Sequence, residues 1–139
     1  MSAFMWAALT ACIWGVVPLM EKIGLGYMSP TSGVFVRSMG VLVGVVVFGW
    51  LWAPWSTLRV APWWSMALLA GGGFLASFVG QLVFYHALKS GAVSQVTPVA
   101  GAYPLVAAIL GWWVLREPFT AARALGVVCV VAGALLLRR

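Results

Sequence analysis

The feature that most limits what this chain can become is a series of five apolar runs, at residues 3–20, 32–52, 63–88, 93–115 and 121–137. Each is close to the ~20 residues that carry an α-helix across the hydrocarbon of a bilayer. Backbone in lipid must satisfy its own hydrogen bonds, so runs of this kind are read as helices. The connections, 21–31, 53–62, 89–92 and 116–120, are short and hold Gly, Ser and Pro. Short connections make successive helices antiparallel. The expected fold is therefore all-α, an integral membrane bundle of five transmembrane helices forming a single domain over residues 1–139.

Composition supports the same conclusion. Only 7% of residues are charged and 64% are hydrophobic, with a mean hydropathy of +1.08, against about 25% charged in ordinary globular domains. So few charges cannot cover a soluble surface. The net charge of +6 comes from eight Lys and Arg scattered singly, which argues against nucleic acid as a partner and for topology signals. Cys12 and Cys129 lie inside apolar runs and read as small packing residues. No metal-ligand cluster, nucleophile triad or phosphate loop occurs, so no enzyme, cofactor or metal is expected. His86 reads as an interfacial polar residue near a helix end. Residues 3–20 lack a preceding basic residue and are read as a span rather than a cleaved leader.

The fourth run has the most marked pattern. Ser94, Thr97, Gly101, Pro104, Ala108 and Gly111 recur at alternating spacings of three and four, so a helix puts them on one face. A face without bulk lets neighbouring backbones approach closely in lipid. Pro98 and Pro104 each leave a backbone carbonyl without its helical donor, and broken backbone of this kind often borders a binding cavity. Gln95, Thr97 and Tyr103 are the polar side chains available there.

In the first run, Ala8, Ala11, Gly15 and Pro18 share one face and Thr10, Trp14 and Glu21 a neighbouring one. Pro18 is read either as a kink or as part of a site. Arg37 lies about two turns inside the second run, on a face with Gly33, Gly40 and Gly44. A charge so placed calls for a partner or a wet cavity, with snorkelling to the headgroups as the competing reading. The partner expected is Glu21, a freed carbonyl or an anionic part of a solute. In the third run, Gly71, Gly72 and Gly73 mark a bend or a close approach, and Ser77, Gln81 and Tyr85 form a polar stripe at intervals of four. The stripe either bonds another helix or contacts a solute. In the fifth run Ala122, Gly126, Cys129 and Gly133 form a small-residue seam suited to packing or dimerisation. Pro118 fits a first helical position, and Glu117 before it complements the positive helix end.

Eight of nine tryptophans, Trp6, Trp50, Trp52, Trp55, Trp63, Trp64, Trp112 and Trp113, fall at the membrane side where the chain begins. They form an aromatic belt. Arg59, Arg116 and Arg123 share that side, while Lys22, Arg37, Lys89, Arg138 and Arg139 lie on the other. The bias favours an N-terminus outside and a C-terminus in the cytoplasm, and insertion in both orientations stays open.

Taken in order, Trp14-Gly15, Pro18, Glu21-Lys22, Arg37, Ala87-Leu88, the segment Ser94 to Pro98, Tyr103-Pro104, Leu115-Arg116-Glu117-Pro118, Leu125-Gly126 and Ala132-Gly133 resemble an EamA domain of the drug/metabolite transporter superfamily. The resemblance covers essentially the whole chain and rests on order and spacing. It implies one half of a ten-helix inverted-repeat transporter, of the short five-span bacterial and archaeal type, in the inner (plasma) membrane. The function implied is a secondary transporter or exporter half that moves a small organic metabolite or drug-like solute by alternating access. Its partners would be membrane lipid, the small-molecule substrate, and a second copy, parallel or antiparallel, or a paralogous five-span subunit. A flippase subunit for lipid-linked sugar or phospholipid, and a non-transporting assembly or regulatory subunit, are the alternatives. Candidate substrate-binding residues are Trp14, Arg37, Gln81, Tyr85, Gln95, Thr97 and Tyr103. Pro18, Pro98 and Pro104 are candidate helix breaks, and Gly101, Ala108, Gly111, Gly126 and Gly133 candidate packing or dimer positions. Unlike the smaller four-helix exporters of that superfamily, the first span is read as carrying no embedded carboxylate, because Glu21 falls just beyond it.

Overall fold

The computed structural model describes residues 2–52, 55–118 and 120–137, apart from the side chain of Thr57. The described residues are helical, with turns between. The helices are α1 (Ala3–Leu25), α2 (Pro30–Trp52), α3 (Trp55–Val60), α4 (Trp63–Phe74), α5 (Gln81–Ser90), α6 (Val93–Ala100), α7 (Tyr103–Val114) and α8 (Ala121–Leu136). A π-helical stretch, Leu75–Gly80, joins α4 to α5 into one helix, Trp63–Ser90, and α6 with α7 spans Val93–Val114. Four helices are therefore long and apolar enough to cross a membrane, and α8 is a shorter apolar helix of 16 residues.

Three helices start by the same local device. Ser2, Ser29 and Thr120 each precede a first turn, and the side-chain oxygen accepts from the third helical N–H, of Met5 (3.3 Å), Ser32 (3.2 Å) and Arg123 (3.3 Å) respectively. That bond satisfies one of the donors a helix start leaves open. Pro30, at the first helical position after Ser29, loses nothing by lacking an N–H. Inside the helices, Thr10 donates to Trp6 O (2.9 Å) and Ser38 to Val34 O (2.8 Å), while His86 Nδ1 bonds Leu82 O (2.8 Å). Thr10, Ser38 and His86 are thus satisfied by their own helices without water.

The boundaries differ from expectation at three places, and the burial of the cysteines differs as well. Helix α1 continues past Met20 to Leu25, because nothing in Glu21-Lys22-Ile23 breaks a helix and the chain turns only at Gly26 and Tyr27, whose N–H groups bond Ile23 O and Gly24 O. Glu21 is consequently inside the first helix, not beyond it. The connection 53–62 contains the short helix α3; Ala53 and Pro54 of that connection, like the C-terminal pair Arg138 and Arg139 used for topology, lie outside the described residues. Pro118 is not a first helical residue, since α8 begins at Ala121 with Thr120 as its cap. Cys12 and Cys129 are exposed rather than packed within the chain.

The chain divides into two compact units, one of residues 20–89 and the other of residues 1–19 with 90–139. In the second of these, α6 and α7 pack on α8. The helix Val93–Val114 is interrupted at Gly101 and Ala102, whose N–H groups turn back to Thr97 O (2.7 Å) and Val99 O (3.2 Å). The two prolines explain the break: neither Pro98 nor Pro104 supplies an N–H to the turn before it. Thr97, Gly101, Pro104 and Ala108 are half-buried and Gly111 is buried, while Leu105, Val106, Ile109 and Leu110 are exposed. From Thr97 to Gly111 the face without bulk is the covered one, as close helix approach requires, whereas Ser94 at its start is exposed. On α8 the covered positions are Ala124, Val127, Val131, Gly133 and Ala134. Of the seam read from the sequence, Ala122, Gly126 and Cys129 are exposed and Gly133 is half-buried, and a Cβ added at Gly126 or Gly133 would meet nothing within 4 Å.

The turn between α7 and α8 is held by Arg116, which adopts the left-handed conformation (φ 54°), and by Glu117 N–H donating to Gly111 O (3.1 Å). Glu117 also faces Arg123 at 3.7 Å, and Arg123 Nη1 donates to Pro118 O at 2.9 Å. Glu117 is thereby engaged in shaping the turn. With both partners more than half exposed, the ion pair itself contributes about 0–1 kcal/mol.

Candidate functional site

The other unit, residues 20–89, holds the polar cluster. Its buried apolar residues are Leu25, Val34, Tyr85 and Leu88, each 3% exposed or less. They come from the end of α1, the start of α2 and α5. Gly33 makes this meeting possible: a Cβ there would lie 2.8 Å from Leu25 Cδ2 and 3.0 Å from Tyr85 Cε2. Only a residue without a side chain lets the Tyr85 ring lie flat against α2. Of the glycine face expected on α2, Gly33 alone is so used, since Gly40 and Gly44 have nothing within 4 Å of an added Cβ.

The Tyr85 ring, so placed, delivers its hydroxyl to Glu21. Tyr85 donates to Glu21 Oε1 at 2.9 Å, Gln81 Nε2 donates to the same oxygen at 2.8 Å, and Arg37 Nε stands 3.3 Å from it. Arg37 Nη1 also reaches Ser77 O at 3.4 Å. Three helices thus converge on one carboxylate oxygen. Glu21 lies one turn inside the end of α1, ~6 Å, and Arg37 seven residues after Pro30, ~10 Å into α2. A lone charge at such a depth is unfavourable, and an opposite charge with added hydrogen bonds is the arrangement that compensates it.

The π-helical stretch bears on the same contact. It follows, after the single residue Phe74, on Gly71, Gly72 and Gly73, which are exposed and meet nothing within 4 Å at an added Cβ. The glycine triplet therefore marks a change of helical winding rather than a close approach within this unit. A π turn widens the helix and leaves carbonyls less strictly used, and Ser77 O inside it is the one that Arg37 finds. Phe78 of the stretch packs edge-on to Phe35 of α2, with ring centroids 6.4 Å apart.

Two lysines close this end reciprocally. Lys22 of α1 donates to Leu88 O near the end of α5, and Lys89 of α5 donates to Leu25 O at the end of α1 and to Met28 O in the turn after it. Each supplies a cation to the negative end of the other's helix. Beside the Glu21–Arg37 pair lies a cavity of about 180 Å³ bounded by Leu25, Met28, Val36, Arg37, Glu21 and Tyr85.

Of the residues singled out from the sequence, the structure brings together Arg37, Gln81 and Tyr85. Gln81 and Tyr85 of the polar stripe on the third span are hydrogen-bonded to α1, as the first of its two readings expected, while Ser77 meets α2 through its backbone carbonyl, and Arg37 has both an acidic partner and a carbonyl. Trp14, Gln95, Thr97 and Tyr103 belong to the other unit, where Trp14, Gln95 and Tyr103 are exposed. The Thr97 hydroxyl there is buried with no hydrogen-bond partner among the described residues. Pro18 is buried inside α1, Pro98 lies inside α6, and Pro104 opens α7. The residue missing from the candidate set is Glu21. Its signal was present, as one of only two acidic residues in the chain, followed by four residues before Gly26 turns the chain at the end of α1.

Four membrane-length apolar helices and an ion pair set within them define a multi-pass helical membrane protein. The EamA-like transporter family matches residues 1–139, so the chain belongs to that family. No significant match was found among curated proteins or solved structures.

Proposed function

We propose that this protein is one half of a secondary transporter, moving a small organic solute across the inner (plasma) membrane by alternating access. The observation that carries the reading is the Glu21–Arg37 pair, held inside apolar helices and beside a cavity. A pair needed only for stability has no reason to border open space, because filling that space with apolar side chains would be at least as favourable. The interrupted helix at Gly101 and Ala102 supports the reading from the other unit, since broken backbone is tolerated at membrane depth where it is covered by protein or lines a cavity.

In this proposal α8 makes a fifth crossing. Its 16 residues rise ~24 Å, short of the ~30 Å hydrocarbon, a mismatch that local thinning accommodates at modest cost. Five crossings put the two termini on opposite sides, with the N-terminus outside. The open seam of Gly126 and Gly133 then meets a second copy or a paralogous subunit, completing a ten-helix assembly.

The test is reconstitution into proteoliposomes with a panel of labelled organic solutes. Transport of at least one is expected, with Arg37→Ala lowering its rate by tenfold or more. Arg37→Lys should restore only part of it, because an ammonium does not reproduce the planar guanidinium contacts to Glu21 and Ser77 O. Full transport by a folded Arg37→Ala variant would refute the assigned role of the pair. For assembly, Gly126→Leu and Gly133→Leu should reduce the dimer captured by crosslinking in membranes; an unaltered dimer rules out this seam as the contact.

A further inference from the structure

We infer that the cavity beside Arg37 binds a small monocarboxylate with an apolar body about the size of one aromatic ring, and that Glu21 takes up one proton when it does. This names the substrate class of the site above and rests on the transport reading for its physiological meaning. Binding itself is a separate measurement.

A ligand can reach one member of the ion pair more readily than the other. Glu21 is 10% exposed, accepts from Tyr85 and Gln81 and is ion-paired with Arg37, whereas the Arg37 side chain is 31% exposed. Arg37 uses Nε and Nη1, and among the described residues no bond falls on Nη2. A guanidinium has five N–H donors in a planar fork that fits a carboxylate with two parallel bonds. The accessible, incompletely used group is therefore the cation, and the ligand group it recognises is an anion.

The rest of the ligand follows from the walls. Leu25, Met28 and Val36 offer hydrocarbon and a thioether, which suit an apolar body. At about 180 Å³ the space is a little larger than the ~150 Å³ cavity known to take benzene. A sugar or a polyhydroxylated acid would leave its hydroxyls facing Leu25 and Val36 without partners.

Charge balance requires the proton. Glu21 and Arg37 together are neutral; a second carboxylate beside them would leave one uncompensated negative charge in an apolar setting. Two carboxylates sharing one cation resist ionising together. The exchange that keeps the site neutral is this: one proton from solvent bonds to Glu21, the Glu21–Arg37 ion pair breaks, and the ligand carboxylate pairs with Arg37. No electron is transferred and one proton accompanies each anion. The other ionisable groups at this end are otherwise engaged. Lys22 on α1 bonds Leu88 O, Lys89 on α5 bonds Leu25 O and Met28 O, His86 on α5 is exposed and bonds Leu82 O, and Tyr85 donates to Glu21. Among the described residues, Arg37 is the one ionisable group that α2 places at the cavity.

The experiment is equilibrium binding of labelled benzoate to the full chain in lipid nanodiscs, with empty nanodiscs subtracted, from about pH 5 to about pH 8. The wild-type protein should bind more tightly as pH falls, by up to about tenfold per pH unit, because one proton is taken up per ligand. Glu21→Gln, a permanent mimic of the protonated acid, should bind at least as tightly as wild type and show a flat pH profile. Benzyl alcohol, of the same size without the charge, should not displace benzoate. A pH-independent wild type, displacement by benzyl alcohol, or no benzoate binding at all would overturn the inference. If other solutes cross proteoliposomes while benzoate does not bind, this inference fails and transport stands. If benzoate binds as described and no solute of the panel crosses, the transport reading fails alone.

Discussion

Replacing Gly33 by alanine tests how the cluster is built. The added methyl would sit 2.8 Å from Leu25 Cδ2 and 3.0 to 3.1 Å from two carbons of the Tyr85 ring, and both neighbours are almost fully buried. Overpacking of this kind costs about 1–3 kcal/mol. Against it stands the greater helix propensity of alanine, worth about 1 kcal/mol. The ring can yield only by moving its hydroxyl, which donates to Glu21 at 2.9 Å, and a hydrogen bond to a charged group contributes about 1.5–3 kcal/mol. With that bond weakened rather than lost, the net destabilisation expected is about 2 kcal/mol, ~30-fold in the folding constant. The same change at Gly40 or Gly44, where nothing lies within 4 Å, should be neutral or slightly stabilising. Reversible unfolding in mixed micelles, followed by tryptophan fluorescence, measures all three. The effect should also shrink in a Tyr85→Phe background, because the two changes then remove the same bond. A Gly33→Ala variant as stable as Gly40→Ala would refute the packing argument, and an undiminished effect in the Phe background would locate the strain at Leu25 instead.

Three further outcomes concern the turn before α8 and are read by the same unfolding assay. Arg116→Gly should stabilise the protein by about 1 kcal/mol, since the left-handed conformation at φ 54° is unfavourable for a residue with a Cβ. Thr120→Ala should destabilise it by about 1 kcal/mol through loss of the bond from Arg123 N–H. Arg123→Ala should change stability by less than about 1 kcal/mol through its pairing with Glu117, because that pair is exposed.

Much of the helical architecture was legible in the sequence because it depends on local quantities. Length and hydropathy of the apolar runs place the helices, and Pro98 with Pro104 place the break between α6 and α7, since a missing N–H acts within one turn. The small-residue face of the fourth run was also readable, as its spacing alone decides which residues share a side. A charge inside α2 required a partner, and with only two acidic residues in the chain the choice of Glu21 was narrow.

What the sequence could not decide is where along those helices the contacts fall. A hydropathy window ends the first span at the first charge, whereas the helix runs on until Gly26 turns it; that difference moved Glu21 from a loop into the cluster. The seam on α8 illustrates the same limit. Period alone groups Ala122, Gly126, Cys129 and Gly133, but which side of α8 meets α6 and α7 depends on the packing of those helices, and the covered positions are Ala124, Val127, Val131 and Ala134, with Gly133 alone of that group. Likewise Gly33, Gly40 and Gly44 are equivalent in pattern, and only the approach of Leu25 and Tyr85 makes Gly33 different. Local sequence sets the helices because their hydrogen bonds close within four residues; the cluster at Glu21 exists because three helices, up to 64 positions apart in the chain, bring one carboxylate, one guanidinium, one amide and one phenol to a single oxygen.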